Sequence, residues 1–329
     1  MATLEDFDNL FETTLKPRLV DLDALRKKAL SRILFSIPLF VLAVIGFGTP
    51  AFAPALNPAI HPAIPLAAAV LLLVAGIVVA AGASKHLKAY NARYKEEFVR
   101  EIVTAINPEW TYESSNGIRK DEYRTSGLFP EHFDRYCSDD LVTGIIDKTD
   151  FRCAEVHSEK KIVTHDKNGR RQERWEDIFH GLFFHADFNK HFKGTTYVEP
   201  DFAERFLGGF GTALQRIGGK GELVKLEDIA FEKRFVVYSS DQIEARYILT
   251  PAIMEAILAI ADAFQKPIRI SFVQSRVYVA VDFRKKLFEP RLATTCVKLE
   301  NARTVFKLFK TNEVIVRELN LNTRIWTKE

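Results

Sequence analysis

The sequence predicts an α+β fold: an N-terminal two-helix transmembrane hairpin, followed by a cytoplasmic domain of mainly antiparallel strands with packed helices. Two apolar segments, about residues 30–48 and 63–83, each approach the roughly 20 residues that cross a hydrocarbon core. β-Branched and aromatic runs separated by turns are typical of residues 110–282. Helical periodicity returns in residues 301–319, so strands and helices do not alternate regularly along the chain.

We expect four regions in the 329-residue chain. In chain order they are a cytoplasmic amphipathic helical segment (1–29), the transmembrane hairpin (30–83), a juxtamembrane helix (84–109), and the cytoplasmic α+β domain with a C-terminal helix (110–329). No long low-complexity linker separates these regions.

The residues before the first apolar segment have the periodicity of an amphipathic helix. Leu4, Phe7, Phe11 and Leu15 recur at spacings of three and four residues. Pro17 follows them, and because proline lacks a backbone N–H and clashes with the preceding turn, we expect the helix to break there.

The two apolar segments differ in how clearly they predict a membrane span. The second contains no ionisable side chain, and Gly76 and Gly82 would let a neighbouring helix approach closely. The first carries Arg32 near its start, which would reach to the membrane interface, and Pro38 within it. A signal peptide is disfavoured because about thirty residues rich in charge precede this segment. A buried helical hairpin would need apolar surroundings that the remaining sequence does not supply.

Lys and Arg residues flank the hairpin, whereas the loop between the two apolar segments contains neither. The positive-inside rule therefore predicts that the N- and C-termini are both cytoplasmic. The basic residues expected to face anionic lipid headgroups are Arg26, Lys27, Lys28, Arg32, Lys85 and Lys88.

A second apolar stripe follows the hairpin and predicts the juxtamembrane helix. Its members recur at helical spacing and end before Asn107-Pro108, which is a helix stop signal. This stripe either packs against the N-terminal helix or forms a seam between two copies of the chain. The stripe consists of Leu87, Tyr90, Tyr94, Phe98, Ile102 and Ile106.

Four runs in the first half of the cytoplasmic region read as consecutive antiparallel strands. They are residues 141–147, 151–158, 161–165 and 178–188. The Asn-Gly pair at residues 168–169 predicts a tight hairpin between the third and fourth runs.

The second half of this region mixes strands and helices. Residues 231–239 read as a strand, and Ser239 with Gln242 forms a capping-box pattern that opens a short helix. Thr250-Pro251 then marks the start of a second helix, with Thr250 as N-cap. Residues 269–273 and 277–281 read as a hairpin.

Three stretches resemble the bacterial DUF3137 family, a domain of unknown function. They are residues 179–201, 226–257 and 319–328, of which FEKRFVVYSSDQIEARYILTP is the most specific. The resemblance implies a bacterial membrane-associated protein whose biochemical role is not established, and the N-terminal hairpin followed by a cytoplasmic domain resembles the layout common in the family. The resemblance supplies no catalytic residues.

Composition narrows the class of function. A net charge of +3 and a pI near 8.6 reflect balanced acids and bases, which does not suggest nucleic acid as a partner. Three cysteines without a CxxC pair disfavour a disulfide framework and a zinc site, and agree with a reducing compartment. His180, His185 and His191 fit no metal-binding motif, so we expect no metal ion and no cofactor.

Two groups of residues are candidates for chemistry. Glu155 and His157 lie two apart on one predicted strand, hence on one face, as a general acid/base pair would. Asp241, Glu244 and Arg246 form the second group, which either fixes a helix through ion pairs, for example from Arg246 to Glu227 or Glu232, or faces a ligand. Ordinary structural roles are the simpler interpretation of both groups.

The sequence thus predicts an integral inner-membrane protein that presents a cytoplasmic α+β binding or scaffolding domain. Its expected partners are the lipid bilayer and either another protein or a second copy of the chain. The absence of a recognised nucleophile motif favours a non-enzymatic role. Two alternatives stay open, namely a membrane-proximal enzyme that uses carboxylates and histidines, and a sensor of anionic lipid headgroups.

Overall fold

The computed structural model describes residues 4–48, 63–165, 169–188, 191–201 and 220–319. The chain divides into two compact units. One unit holds the residues up to Ile102 together with Glu289–Thr304, and the other holds Val103–Phe288 and the residues from Val305 onward. The loop between the predicted spans, Asn168, and residues 320–328 of the family resemblance lie outside the described residues.

Helix α1 is continuous from Leu4 to Gly48, so the predicted break at Pro17 is wrong. Instead, a π-helical turn occupies Phe11–Leu15, directly before the proline. A proline ring clashes with the carbonyl four residues earlier, here that of Thr13, and a locally widened turn can relieve that clash without ending the helix. The predicted apolar side chains Phe7, Phe11 and Leu15 are buried.

Helix α2 is continuous from Ala63 to Ile106 and carries its own π-helical turn at Lys95–Val99. The second apolar segment and the juxtamembrane stripe are therefore parts of one helix. It ends before Asn107-Pro108, as the sequence predicts. The stripe residues Tyr90, Phe98 and Ile102 are buried.

Helices α1 and α2 are both long and apolar enough to cross a membrane. In each, only 11% of the most apolar 18-residue window is buried within the protein. The predicted role of glycine is visible at Gly76, where an added Cβ would lie 3.1 Å from the ring of Phe40. A Cβ added at Gly46 would lie 2.8 Å from the Cβ atom of Ala69. Small residues thus allow the two helices to approach closely.

The unit that holds Val103–Phe288 is built on an antiparallel sheet, which confirms the α+β class. Its spatial strand order is β1-β2-β3-β4-β9-β8-β5-β7-β6. The strands are β1 Thr111–Glu113, β2 Arg135–Ile146, β3 Thr149–His165, β4 Arg171–Asp187, β5 Thr195–Pro200, β6 Glu222–Val224, β7 Phe235–Ser239, β8 Ile268–Val273 and β9 Arg276–Asp282.

Strands β3 and β4 form a long hairpin of 17 residues on each side. The runs 151–158 and 161–165, predicted as separate strands, are both parts of β3. The predicted hairpin between β3 and β4 is present, since His165 pairs with Arg171. Gly169 has a φ of +75°, a left-handed conformation that glycine adopts without a steric penalty.

The predicted strand at residues 231–239 is shorter than expected. A short helix, α4 (Ile229–Glu232), occupies its start, after α3 (Lys120–Thr125) earlier in the chain. The side chain of Asp228 caps α4 by accepting a hydrogen bond from the Phe231 amide at 2.9 Å. Because this cap stabilises a helical turn, the strand begins only at Phe235.

Three further helices lie within the described part of the chain, and they agree with prediction except at one cap. Helix α5 (Gln242–Ile248) is capped by Asp241 rather than Ser239, because Ser239 Oγ accepts from the Asp241 amide instead. Helix α6 (Pro251–Phe264) has Thr250 as its N-cap, as predicted. The C-terminal helix is α7 (Leu299–Glu318), and the predicted hairpin is formed by β8 and β9.

The two faces of the sheet differ in what they bury. One face carries an aromatic core that includes Tyr123, Phe129, Phe179 and Phe183. Because side chains alternate along a strand, Glu155, His157 and His180 lie on the opposite face. Their positions define the site described below.

Candidate functional site

An irregularity in the pairing of β3 with β4 brings four polar side chains together. His157 pairs directly with His180, and Ser158 pairs with Phe179, but Glu159 pairs with Asp177. Ile178 is thus an extra residue in β4, a β-bulge. One extra residue shifts the following side chains to the other face of the sheet. The bulge therefore places Asp177 on the face that carries His157 and His180.

The resulting polar cluster consists of Glu155, His157, Asp177 and His180, and we call it the β3–β4 cluster. The Nε2 atom of His157 lies 2.7 Å from Asp177 Oδ1. The rings of His157 and His180 stack with centroids 4.0 Å apart and planes inclined by 18°. The Nε2 atom of His180 lies 3.3 Å from Glu155 Oε1. The four side chains therefore form one continuous chain of polar contacts.

The cluster runs from the interior of the protein to solvent. Glu155 and His180 are only 4% and 9% exposed. Glu155 is also held by the Leu287 amide, which donates to its Oε2 at 2.8 Å. Asp177 is exposed and His157 is intermediate. Small molecules and ions thus have access to one end of a cluster whose other end is fixed.

Burial, reinforced by electrostatic repulsion from the neighbouring His157, lowers the pKa of His180 below its ordinary value. The charged imidazolium loses hydration when it is buried, which disfavours the protonated form of His180. His180 is therefore neutral at neutral pH, and one of its two ring nitrogens carries a lone pair.

The predicted pair Glu155 and His157 does lie on one face of β3, but the two residues are linked through His180. From the sequence, His180 is expected to be an ordinary strand residue, and no pattern singles out Asp177. The missing information was the register of the β3–β4 hairpin and its bulge at Ile178. Neither is encoded in a local sequence pattern.

A second bulge, in β2, brings two further carboxylates close to Glu155. The register shifts between Asp139 and Val142, and Asp140 adopts a φ of +58°. One carboxylate oxygen from each of Asp139, Asp140 and Glu155 lies within 4.8 Å of the other two. The Tyr112 hydroxyl donates a hydrogen bond to the buried Asp140 carboxylate. Glu155 therefore borders both this acidic group and the β3–β4 cluster.

The predicted group Asp241, Glu244 and Arg246 lies around helix α5. Asp241 Oδ1 accepts from the amides of Ile243 and Glu244 at 2.9 and 3.0 Å. The Glu244 carboxylate accepts from the amides of residues 193 and 194. Arg246 donates to the carbonyl of Gln242 at 3.1 Å. These bonds fix the helix to the chain that enters β5, which is a structural arrangement.

The basic residues expected at the membrane are not equivalent. Arg26 is only 7% exposed, because its guanidinium pairs with Asp23 at 2.6 Å and donates to the Leu292 carbonyl at 2.9 Å. Burial and these contacts leave it little freedom to reach a headgroup. The remaining members of the set, which are exposed, are Lys27, Lys28, Arg32, Lys85 and Lys88.

A cleft of about 230 Å³ opens on the aromatic side of the sheet. Phe129 and Phe179 contribute apolar surface, and Lys266, Arg269 and Arg284 contribute positive charge. The carboxylate of Asp282 also lines the cleft, 3.6 Å from Arg284, and Arg269 pairs with Glu199 at 2.8 Å. The Arg269 guanidinium lies 4.9 Å from the centroid of the Phe129 ring. This cleft combines apolar and cationic surface, as a site for an anionic group attached to an apolar body requires.

Comparison with known proteins gives a family but no activity. Residues 177–321 match the family described as "Protein of unknown function (DUF3137)". No curated protein matches the chain. The crystal structure of the mycobacterial trehalose monomycolate transport factor A, TtfA, is 10% identical and aligns with a TM-score of 0.30 over 66% of this chain and 95% of that one. A TM-score at this level supports no conclusion about fold or activity. Residues 177–321 therefore match the DUF3137 family, which the sequence resembles.

Proposed function

We propose that this chain is an integral protein of the bacterial inner membrane, in which α1 and α2 anchor a cytoplasmic α+β domain that binds or scaffolds a partner without catalysis of its own. The observation that carries the proposal is the uncovered apolar surface of the two long helices. Large side chains such as Phe35, Leu71 and Val78 are 64%, 71% and 65% exposed. Exposed apolar patches of this kind mark membrane or protein contacts.

Charge at the ends of the apolar stretches supports the orientation. Lys27 and Lys28 precede the first stretch, and Lys85 and Lys88 follow the second, all of them exposed. Basic residues concentrate on the cytoplasmic side of membrane helices, where anionic headgroups attract them. Both chain ends would then be cytoplasmic.

Support for a binding role comes from the cleft at Arg269, in which three basic side chains outnumber the one carboxylate, that of Asp282. A partner that presents a carboxylate or phosphate next to an apolar group would satisfy both kinds of surface in the cleft. The variant that tests this role replaces both Lys266 and Arg284 by alanine. Both side chains line the cleft and are exposed, so their removal leaves the apolar core intact.

The proposal is tested by crosslinking in cells, followed by solubilisation in detergent and mass spectrometry of what co-purifies with the full-length chain. We expect a reproducible protein partner whose recovery falls when Lys266 and Arg284 are both replaced by alanine. Exposed lysines outside the cleft, Lys120 and Lys148, provide the control double variant, which should recover the partner fully. Recovery of no protein partner in any of the three would contradict the scaffold role.

A second candidate function is a membrane-proximal enzyme, and the β3–β4 cluster is the observation that favours it. Carboxylates and imidazoles in mutual contact are the groups used for general acid/base chemistry. If cells carrying His157→Ala lose the function of the protein but retain its partner in the crosslinking experiment, the enzyme is favoured over the scaffold.

A further inference from the structure

We propose that His157, Asp177 and His180 form a binding site for a divalent transition-metal ion such as Zn²⁺. One ligand atom from each of the three side chains lies within 4.8 Å of the other two. Four-coordinate zinc with bonds of about 2.0–2.1 Å places neighbouring ligand atoms roughly 3.3 Å apart. Because a metal lies in the plane of each imidazole that binds it, one of the two stacked rings has to rotate about its side-chain torsions to close the site. The proposal goes beyond the binding or scaffolding role and does not depend on it.

The donor set selects the class of metal. Two imidazole nitrogens and one carboxylate oxygen are ligands for Zn²⁺ and neighbouring first-row ions, whereas Mg²⁺ and Ca²⁺ prefer oxygen ligands alone. The acidic group of Asp139, Asp140 and Glu155 lacks imidazole and carries no proposal by itself.

The backbone holds the two histidines in fixed positions. His157 and His180 are directly paired residues of β3 and β4. The carbonyl of His180 also accepts the amides of Phe283 and Arg284 at 3.1 and 2.8 Å. Ligands on paired strands move little, so the protein loses little conformational freedom when the ion binds.

Glu155 supplies the supporting contact that metal-bound histidines commonly have. Its Oε1 lies 3.3 Å from His180 Nε2, and its Oε2 is fixed by the Leu287 amide. When His180 donates its Nε2 proton to this carboxylate, Nδ1 keeps the lone pair that a metal needs. Glu155 is therefore a positioning residue, and the ion replaces the direct contact between His157 and Asp177.

Access to the site agrees with reversible binding. The side chains of Asp177 and His157 are 48% and 28% exposed, while that of His180 is 11% exposed. An ion can therefore enter from solvent without unfolding of the sheet. Three protein ligands leave a coordination position for water or for another molecule.

The test is titration of the full-length protein in detergent, without a histidine tag and after dialysis against a chelator, with Zn²⁺ by calorimetry and with Co²⁺ by visible absorption. We expect one ion per chain and the intense d–d bands of a four-coordinate Co²⁺ site. His157→Ala and Asp177→Asn should each weaken Zn²⁺ binding by more than about 10-fold. Asp177→Asn keeps the size of an exposed side chain, so folding is not at risk in that variant.

His132→Ala is the matched control, because His132 is an exposed histidine whose Nε2 lies 3.8 Å from Asp134 Oδ1. It should bind Zn²⁺ as the unaltered protein does. Glu155→Gln should weaken binding less than a ligand substitution and should leave the Co²⁺ bands present. Absence of stoichiometric binding would overturn the proposal, as would equal Zn²⁺ affinity in the unaltered protein and Asp177→Asn.

Discussion

His185 lies in the interior of the sheet, where Arg276 donates a hydrogen bond to its Nδ1 atom at 2.8 Å. An arginine only donates, so Nδ1 is the acceptor and the ring proton is on Nε2. Burial, together with the charges of Arg276 and Arg152, lowers the pKa of His185 to about 3. Protonation of this side chain therefore opposes folding.

This burial predicts a pH dependence of stability. The ordinary histidine pKa is about 6.5, so between that pH and about 3 the unfolded chain binds a proton that the folded chain does not. The contribution of neutral His185 to the free energy of unfolding is fully present above pH 6.5. It is lost as the pH falls, by up to about 1.4 kcal/mol per pH unit. Thermal unfolding of the full-length protein in detergent at pH 7 and 4.5 should show a smaller loss for His185→Gln than for the unaltered chain. His132→Gln is the exposed control, and equal losses in all three would contradict the assignment.

Asp241 gives a second prediction at the scale of one residue. Its carboxylate accepts hydrogen bonds from two backbone amides at the start of α5. Asp241→Ala should lower the free energy of unfolding by about 1 kcal/mol, whereas Asp241→Asn, which can also cap, should lower it much less. Chemical denaturation in detergent measures the difference. Equal effects of Ala and Asn would mean that the cap does not contribute.

Residue-level chemistry was the part of this protein least accessible from sequence. Glu155 and His157 were predictable as a pair because side chains alternate along one strand. Asp177 was not, because its position depends on the bulge at Ile178, which only the pairing of two strands reveals. The N-cap of α5 was also not predictable, because both Ser and Asp are common at that position. Ser239 Oγ accepts a hydrogen bond from the Asp241 amide, and Asp241 is the residue that caps the helix.

Helices and hairpins were predicted from local sequence patterns more accurately than the side-chain contacts of the candidate site. The apolar lengths of α1 and α2, the Thr250-Pro251 start of α6 and the β8–β9 hairpin each depend on a few neighbouring residues. The break expected at Pro17 is wrong because a π-helical turn accommodates the proline. The strand expected from Phe231 is too long because Asp228 stabilises a helical turn there. Both errors concern competition between two local conformations.

Packing between α1 and α2 predicts an effect of glycine substitution. An added Cβ at Gly76 would lie 3.1 Å from Phe40, whereas one at Gly48 would have no neighbour within 4 Å. Gly76→Val should therefore overpack the pair and lower stability by about 1–3 kcal/mol. Gly48→Val adds the same side chain to the same helix pair in open space. If the two variants unfold at the same temperature in detergent, the close approach at Gly76 is contradicted.

At the scale of the whole molecule, the two units have different surfaces. The unit with α1 and α2 leaves its apolar helix surface uncovered, whereas the unit with the sheet buries an aromatic core on one side and polar groups within its strands. This contrast is what a membrane anchor joined to a water-facing domain requires. The sequence predicted this contrast from hydropathy alone, because a run of about 20 apolar residues can be recognised without knowledge of the fold.

Labelling of cysteines with a membrane-impermeant maleimide tests the central claim most directly. Cys137 is exposed in the α+β domain, while Cys153 and Cys296 are buried, so the native chain already carries one reporter for the domain. His61→Cys adds a reporter between the two predicted spans. We predict that intact cells label the cysteine at position 61 but label Cys137 only after the inner membrane is permeabilised. Labelling of Cys137 in intact cells, or protection of position 61 until permeabilisation, would contradict a membrane hairpin that holds the domain in the cytoplasm.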